Sequence, residues 1–251
     1  MRITVLGKSP SWQDVDGACS GYLVEEQGCR MLIDCGSGVF AKLRRFTDYA
    51  ALDAVVLSHL HADHILDLVP FSYALTYGPR RNPERARPAL HAPPGARDLF
   101  RRVVGAWGDE ALVENAFDLR EYDADAPLHV GPLTLRFQVV PHFVTSHAIE
   151  VTAAAGDGRR FVFGADSGPT EDLCTFAQNA ELLLIEGTLP ASDVGHMTAA
   201  EAGEHGRKSG ARRLVLTHLS DELDAAWAET EAERTFGGPV EIAREGAVYE
   251  V

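Results

Sequence analysis

Ser58-His59-Leu60-His61-Ala62-Asp63-His64 sets three imidazoles and a carboxylate within six positions. The stretch follows the apolar run Ala54-Val55-Val56-Leu57 and precedes Ile65-Leu66-Asp67-Leu68-Val69. A short β-branched run reads as a buried strand, and the apolar spacing after His64 reads as a helix. The histidines therefore fall on a strand-to-helix turn. Such a turn can aim several side chains at one point, which a metal ion requires. His59 and His61, two positions apart, can project together and grip one ion, while Asp63 and His64 open a second cluster facing the other way. Imidazole and carboxylate suit zinc, manganese or iron, and the lack of cysteine here argues against a closed structural zinc site. A histidine-rich surface loop, or a set of capping residues, would fit a lone histidine better than this ordered set.

The whole chain narrows the classes available. It has 251 residues, 45% hydrophobic and 24% charged, which is ordinary for a globular protein. A formal charge of −14 means that the surface as a whole does not attract polyanions. An extended nucleic-acid footprint would need a basic stripe, and only one short basic run occurs. No apolar stretch of about 18 residues is present, so no membrane span is expected. Met1 to Leu6 leads straight into a strand, without the apolar core of a signal peptide. Cys19, Cys29, Cys35 and Cys174 form no C-x-x-C pair and read as reduced, mostly buried thiols of a cytoplasmic protein. With no internal repeat or Pro/Ser-rich linker, residues 1–251 are expected to form one domain.

Patterning along the chain predicts strands over Arg2–Leu6, Gly21–Glu25 and Arg30–Ile33, with Gly28 in a hairpin between the last two. The polar, turn-rich segment from Gly7 to Ser20 is a candidate cover for the site. Helices are predicted over Val39–Phe46, Leu66–Tyr77 and from Ala96 to about Val104. Between the last two, Gly78 to Pro88 holds three prolines and four arginines and reads as an exposed loop. Such a run is commonly just solvated, although its guanidinium forks would also match phosphate oxygens. Further strands are expected at Ala89–His91, Leu133–Val139, Ile149–Ala153, Phe161–Phe163, Leu182–Ile185 and Leu214–Leu216, with a Gly156-Asp157-Gly158 turn before the fourth of these.

The H-x-H-x-D-H pattern of His59 to His64 resembles the signature of the metallo-β-lactamase-fold hydrolases. Three later segments are similar to that family's remaining motifs. Val139-Val140-Pro141-His142-Phe143-Val144-Thr145-Ser146 resembles its H-x-x-x-S segment, Phe163-Gly164-Ala165-Asp166-Ser167 its strand–G-D-T segment, and Leu216-Thr217-His218-Leu219-Ser220 its L-T-H-x-S segment. Ala165 stands where the family has glycine, which puts the backbone freedom of that turn in question. The resemblance implies an αββα sandwich of two mixed sheets with helices outside. It implies two divalent ions, zinc first and manganese or iron next. His59, His61 and His142 would hold one ion, Asp63, His64 and His218 the other, with Asp166 between them. It also implies that Asp34 supports the turn through hydrogen bonds; a plain turn aspartate before Gly36 is the alternative. Two ions at roughly 3.5–4 Å can share a water and lower its pKa to about 7. Asp63 is in addition a candidate acceptor of the nucleophile's proton.

Leu184-Ile185-Glu186-Gly187-Thr188 and Gly195-His196-Met197-Thr198 are similar to the E-A-T and H-x-T segments of the phosphodiesterase branch, tRNase Z included. There the glutamate orients a histidine that contacts the phosphate or protonates the departing oxygen. In competition, Thr198-Ala199-Ala200-Glu201 is a capping box opening a helix to Ser209, which could leave His196 a mere surface residue before the cap. The protruding arm of tRNase Z would lie between His142 and Asp166, and here these are only 24 positions apart. Ser20-Gly21-Tyr22-Leu23 and Leu57 to His64 instead resemble a compact bacterial group that includes cyclic-AMP phosphodiesterases. The expected function is therefore a phosphodiesterase acting on a small anionic cyclic nucleotide. The alternatives are a ribonuclease Z-like 3′ tRNA-processing endoribonuclease, a lactonase or other carboxylic-ester hydrolase, and, last, a non-catalytic metal-binding protein. A homodimer is compatible with the sequence, which does not choose an oligomeric state.

Overall fold

Alternation along the strands decides which side of each sheet faces what. In Gly21–Glu26, Tyr22 and Val24 point to one buried layer and Leu23 to another; in Leu182–Glu186, Leu182 and Leu184 oppose Leu183 and Ile185 in the same way. Strands buried on both faces require cover on both faces, and the chain supplies it with a second sheet on one side and helices on the other.

The computed structural model describes residues 1–80, 87–154, 158–191 and 193–251. The first sheet contains β1 (Arg2–Gly7), β2 (Gly21–Glu26), β3 (Cys29–Ile33), β4 (Ala54–Val56), β5 (Ala89–Ala92) and β6 (Asp118–Glu121) in that order, with β14 (Val248–Glu250) paired outside β1. The second sheet runs β7 (Leu128–Val130), β8 (Leu133–Val140), β9 (Ser146–Ala153), β10 (Arg160–Phe163), β11 (Leu182–Glu186), β12 (Leu214–Thr217) and β13 (Val240–Ile242). In each, an antiparallel meander passes into parallel strands. Helices α1 (Val39–Phe46), α2 (Ala62–Ile65), α3 (Leu68–Tyr77), α4 (Ala96–Gly105) and α5 (Leu112–Ala116) interleave with the first sheet, and residues from all five share its outer apolar layer. Helices α6 (Glu171–Phe176), α7 (Ala199–Ser209) and α8 (Ala225–Phe236) cover the second. This is the αββα sandwich expected from the sequence. Among the described residues, no helix is long and apolar enough to cross a membrane. All four cysteines are free and buried.

One helix differs from expectation. The helix predicted over Leu66–Tyr77 is α3, which begins two residues later at Leu68, and a separate short helix, α2, precedes it from Ala62. Asp67 breaks them apart because its groups are committed elsewhere: its N–H donates to the Cys35 carbonyl at 3.1 Å, and its carboxylate accepts from Phe40 N–H at 2.8 Å. Pro70 then sits in the first turn of α3, where a missing N–H costs nothing. The segment from Gly7 to Ser20 packs against the stretch just after His218, with Lys8 Nζ donating to the Leu219 carbonyl at 2.8 Å. Of the arginine-rich loop, residues 81–86 lie outside the described residues, as do 155–157 of the glycine turn. Arg80 at its edge is exposed and pairs with Asp48 at 3.0 Å.

The inter-sheet layer is fastened at the site end by Tyr22 and Phe163, whose ring centroids are 4.9 Å apart. Tyr22 Oη shares a hydrogen bond of 2.7 Å with Thr217 Oγ1 on the opposing sheet. Phe163→Ala should cost about 3–5 kcal/mol through the cavity it opens. Tyr22→Phe, which loses one hydrogen bond and keeps the ring, should cost only about 1 kcal/mol. Urea unfolding midpoints would check the ranking; equal losses would mean the rings contribute no more than the bond.

Candidate metal centre

The carboxyl ends of four strands with parallel neighbours, and of the antiparallel β8, gather the polar side chains. β4 runs into Ser58 to His64, β8 into His142, β10 into Asp166, β11 ends in Glu186 and β12 is followed by His218. Backbone geometry there is unusual: Asp34, Ala165 and His218 have φ of 57°, 55° and 58°, the left-handed region that few residues other than glycine enter readily. Ala165 thus sits in a conformation that glycine enters freely, and the turn is made at the expense of local strain. The histidine turn is held against the end of β3. Cys35 N–H donates to the His64 carbonyl at 2.7 Å, and the Asp63 carbonyl lies so close to Gly36 that a Cβ there would come within 1.8 Å of it.

Two groups result. In the first, His61 Nδ1 lies 3.2 Å from His59 Nε2 and 3.0 Å from His142 Nε2. In the second, His218 Nε2 lies 3.2 Å from Asp63 Oδ2 and 3.3 Å from Asp166 Oδ2, and His64 Nε2 is 3.4 Å from Asp63 Oδ2 and 3.3 Å from Asp166 Oδ1. Asp166 sits between the groups, its Oδ2 also 3.9 Å from His59 Nε2 and 4.0 Å from His142 Nε2. All seven residues singled out from the sequence are therefore brought together.

The far nitrogen of each ring decides what the near one can do. His64 Nδ1 donates to Asp34 Oδ2 at 2.7 Å, and His142 Nδ1 donates to the Gly195 carbonyl at 2.7 Å. Thr188 Oγ1 donates to the His218 carbonyl at 3.0 Å and so accepts from His218 Nδ1 at 2.7 Å. Ser58 Oγ donates to Asp34 Oδ2 at 2.7 Å and accepts from His59 Nδ1 at 3.1 Å. In the neutral form, with their protons on Nδ1, His59, His64, His142 and His218 would all turn bare Nε2 lone pairs inward, toward one another and toward carboxylates. Acceptors facing acceptors in a buried space call for positive charge between them. His64 Nε2 is buried and makes no hydrogen bond. The nitrogen separations of the first group approach the edge of about 3.3 Å of a tetrahedron with zinc–nitrogen bonds of 2.0–2.1 Å. The donor set fits divalent cations.

Electrostatics agrees. Burial alone would raise the Asp63 carboxyl, but the neighbouring His218 and His64 hold it well below the carboxylate range. Against burial, Asp166 and Asp34 in turn raise His64 well above the ordinary imidazole value, so with no cation between them the carboxylates draw a proton onto that ring. Against the same penalty, His218 and His64 hold Asp166 low. Burial, reinforced by neighbouring His64, pushes His59 well down, and burial followed by His142 lowers His61. Both rings favour the neutral, ligating form.

Beside the second group, His196 Nδ1 lies 3.1 Å from both Glu186 oxygens, and Glu186 Oε1 also accepts from Ser167 N–H at 2.7 Å. The His196 ring stands between His142 and His218, with centroids 4.9 and 5.7 Å away. Burial works against its proton, but the hydrogen bond and charge of Glu186 raise its pKa above the ordinary value. The capping box is also present: Thr198 Oγ1 accepts from Glu201 N–H, and the Glu201 carboxylate accepts from Thr198 N–H. The two roles coexist, because the cap engages Thr198 and leaves the His196 side chain to Glu186. The functional partners that patterning missed are the Ser58 hydroxyl, the Thr188 hydroxyl and the Gly195 carbonyl. Thr188 alone had a signal, two positions after Glu186.

Residues 29–219 match the family described as the Beta-lactamase superfamily domain, and the chain belongs to that superfamily. Its fold and metal-type site are those of a metallo-β-lactamase-fold hydrolase. The Bacillus subtilis protein "Probable metallo-hydrolase YhfI" is 32% identical over 255 residues, covering 100% of both chains. The YhfI crystal structure superposes with a TM-score of 0.88 at 30% identity, covering 99% of each chain. A Ribonuclease Z of Halorubrum lacusprofundi is 28% identical, covering 100% of this chain and 97% of that protein. The human tRNase Z short form shares the fold with a TM-score of 0.77 at 20% identity, covering 100% of this chain and 99% of that one.

Asp34→Asn tests the orientation of His64. An amide that keeps its oxygen toward Ser58 N–H turns its NH₂ toward His64 Nδ1, which then must accept and carry its proton on Nε2, where an ion would bind. Divalent-ion affinity, measured by competition with a chelator, should fall about ten- to a hundredfold. Unchanged affinity would mean the His64 tautomer is set by something other than Asp34.

Proposed function

We propose that the protein is a phosphodiesterase for a small cyclic nucleotide, working with two divalent ions, zinc first among them. His59, His61 and His142 would hold one ion, Asp63, His64 and His218 the other, and Asp166 would bridge. When bound, the ions supply charge to neutralise the phosphodiester and acidity to the attacking water. Asp63 would accept that water's proton. His196, held through Nδ1 by Glu186, presents its other nitrogen to the leaving oxygen and donates a proton as the P–O bond breaks.

The observation that carries this reading is the Glu186–His196 pair standing beside both histidine groups. One nitrogen of His196 lies within 4.8 Å of a nitrogen of His142 and an oxygen of Asp166. A phosphodiester whose leaving group is a ribose alkoxide needs a proton donor there, and this pair supplies one. Two features favour a small substrate over tRNA. The charge is −14, and the interval between His142 and Asp166 is occupied by β9 and β10, which pair with each other. The alignment with the Halorubrum Ribonuclease Z spans 305 positions against the 251 residues of this chain, so that relative carries additional residues. Its identity across the full chain nevertheless makes tRNA 3′ processing the second reading.

Elemental analysis of metal-loaded protein should give two ions per chain, and one or none would remove the dinuclear arrangement. His196→Ala should lower kcat on cyclic AMP by roughly a hundred- to ten-thousandfold, and far less on bis-p-nitrophenyl phosphate, whose nitrophenolate leaves without a proton. Because Glu186 raises the His196 pKa, wild-type kcat should fall as pH rises through that value. Glu186→Gln should move the fall to lower pH. Equal losses on both substrates would make His196 a phosphate-binding group; no loss on either would move a lactone or ester substrate to the front, and cleavage of pre-tRNA but not cyclic AMP would favour the ribonuclease.

A further inference from the structure

Phe143 immediately follows His142, yet its side chain is 61% exposed. A lone exposed ring would need no explanation, but one beside a buried polar site and continuous with other exposed apolar side chains marks a surface that a ligand can cover. Its position is fixed by its neighbours. Its centroid is 5.3 Å from that of His142 and 5.9 Å from that of His196. One side rests on Gly195, where a Cβ would come within 2.4 Å of the ring, so only glycine lets the ring lie there. Gly195 is itself tied to His142 through its carbonyl. Val144 and Val194, 39% and 77% exposed, continue the apolar surface along the two loops that carry His142 and His196. The ring is thus held on one side, open on the other, and about a sugar's width from the proposed proton donor.

We infer that Phe143 is a stacking platform for the nucleobase of the substrate, with Val144 and Val194 as its apolar border. This rests on the phosphodiesterase reading above and adds the recognition of the base to it. A flat open ring suits a planar heterocycle: base–aromatic stacking tolerates any base, because every base presents a π-face. An acyl chain would use the same area but would not need an aromatic ring.

Titration calorimetry of the metal-loaded protein with AMP and with ribose 5-phosphate, which lacks a base, separates the possibilities. Phe143→Ala should weaken AMP about tenfold or more and ribose 5-phosphate less than about twofold. Phe143→Trp should restore AMP binding and show indole fluorescence quenched by AMP but not by ribose 5-phosphate; Phe143→Leu should not restore it. Equal weakening of both ligands, or full rescue by leucine, would overturn the platform. Metal content measured in each variant guards against damage transmitted through His142. Wild-type turnover of cyclic AMP is scored separately. Its absence, with the base-selective loss intact, would remove the cyclic-diester substrate and leave the platform standing. Turnover without base selectivity would do the reverse.

Discussion

Acceptors aimed at acceptors are the constraint on which the rest of the site depends. Two carboxylates, Asp63 and Asp166, and the inner nitrogens of four imidazoles converge in a largely buried space. No packing of apolar groups can stabilise that convergence; only positive charge can. Asp34, Ser58, Thr188 and the Gly195 carbonyl each occupy an outer imidazole nitrogen. In doing so they make the inner surface poorer in protons. The protein is built so that hydrogen bonds it can supply itself leave a charge it cannot supply.

The same constraint explains where the backbone is strained. Asp34, Ala165 and His218 follow the ends of β3, β10 and β12 and turn sharply through the left-handed region. Each such residue costs on the order of 1–3 kcal/mol, and each is pinned by the contacts that make the site. The Asp34 carboxylate is held by Ser58 and His64, His218 is held at both ring and carbonyl by Thr188, and Ser167 beyond Ala165 is held by Glu186. Strand ends that simply ran on would carry the side chains past the focus.

Much of this was legible in the sequence, for reasons that can be stated residue by residue. Buried strands such as Leu182–Glu186 announce themselves because both faces are apolar, and α7 because Thr198 and Glu201 form a local cap. The seven cluster residues were found because each follows an apolar strand and sits in a motif resembling one family. The break at Asp67 was not legible, since its cause is Phe40, 27 positions away. Short strands such as Asp118–Glu121 and Val240–Ile242 have polar residues at edge or near-edge positions and no pattern long enough to register. The Gly195 carbonyl could not be read at all, because a main-chain acceptor leaves no mark in a residue's identity.

That carbonyl has a consequence beyond the ring it holds. His142 faces an ion site with one nitrogen and grips the loop of His196 with the other. A rotation of the His142 ring would release Gly195, the residue that precedes His196. The two histidine-bearing loops are thus coupled through one ring, so that a change in the seating of His142 reaches the loop of His196 by way of the main chain alone.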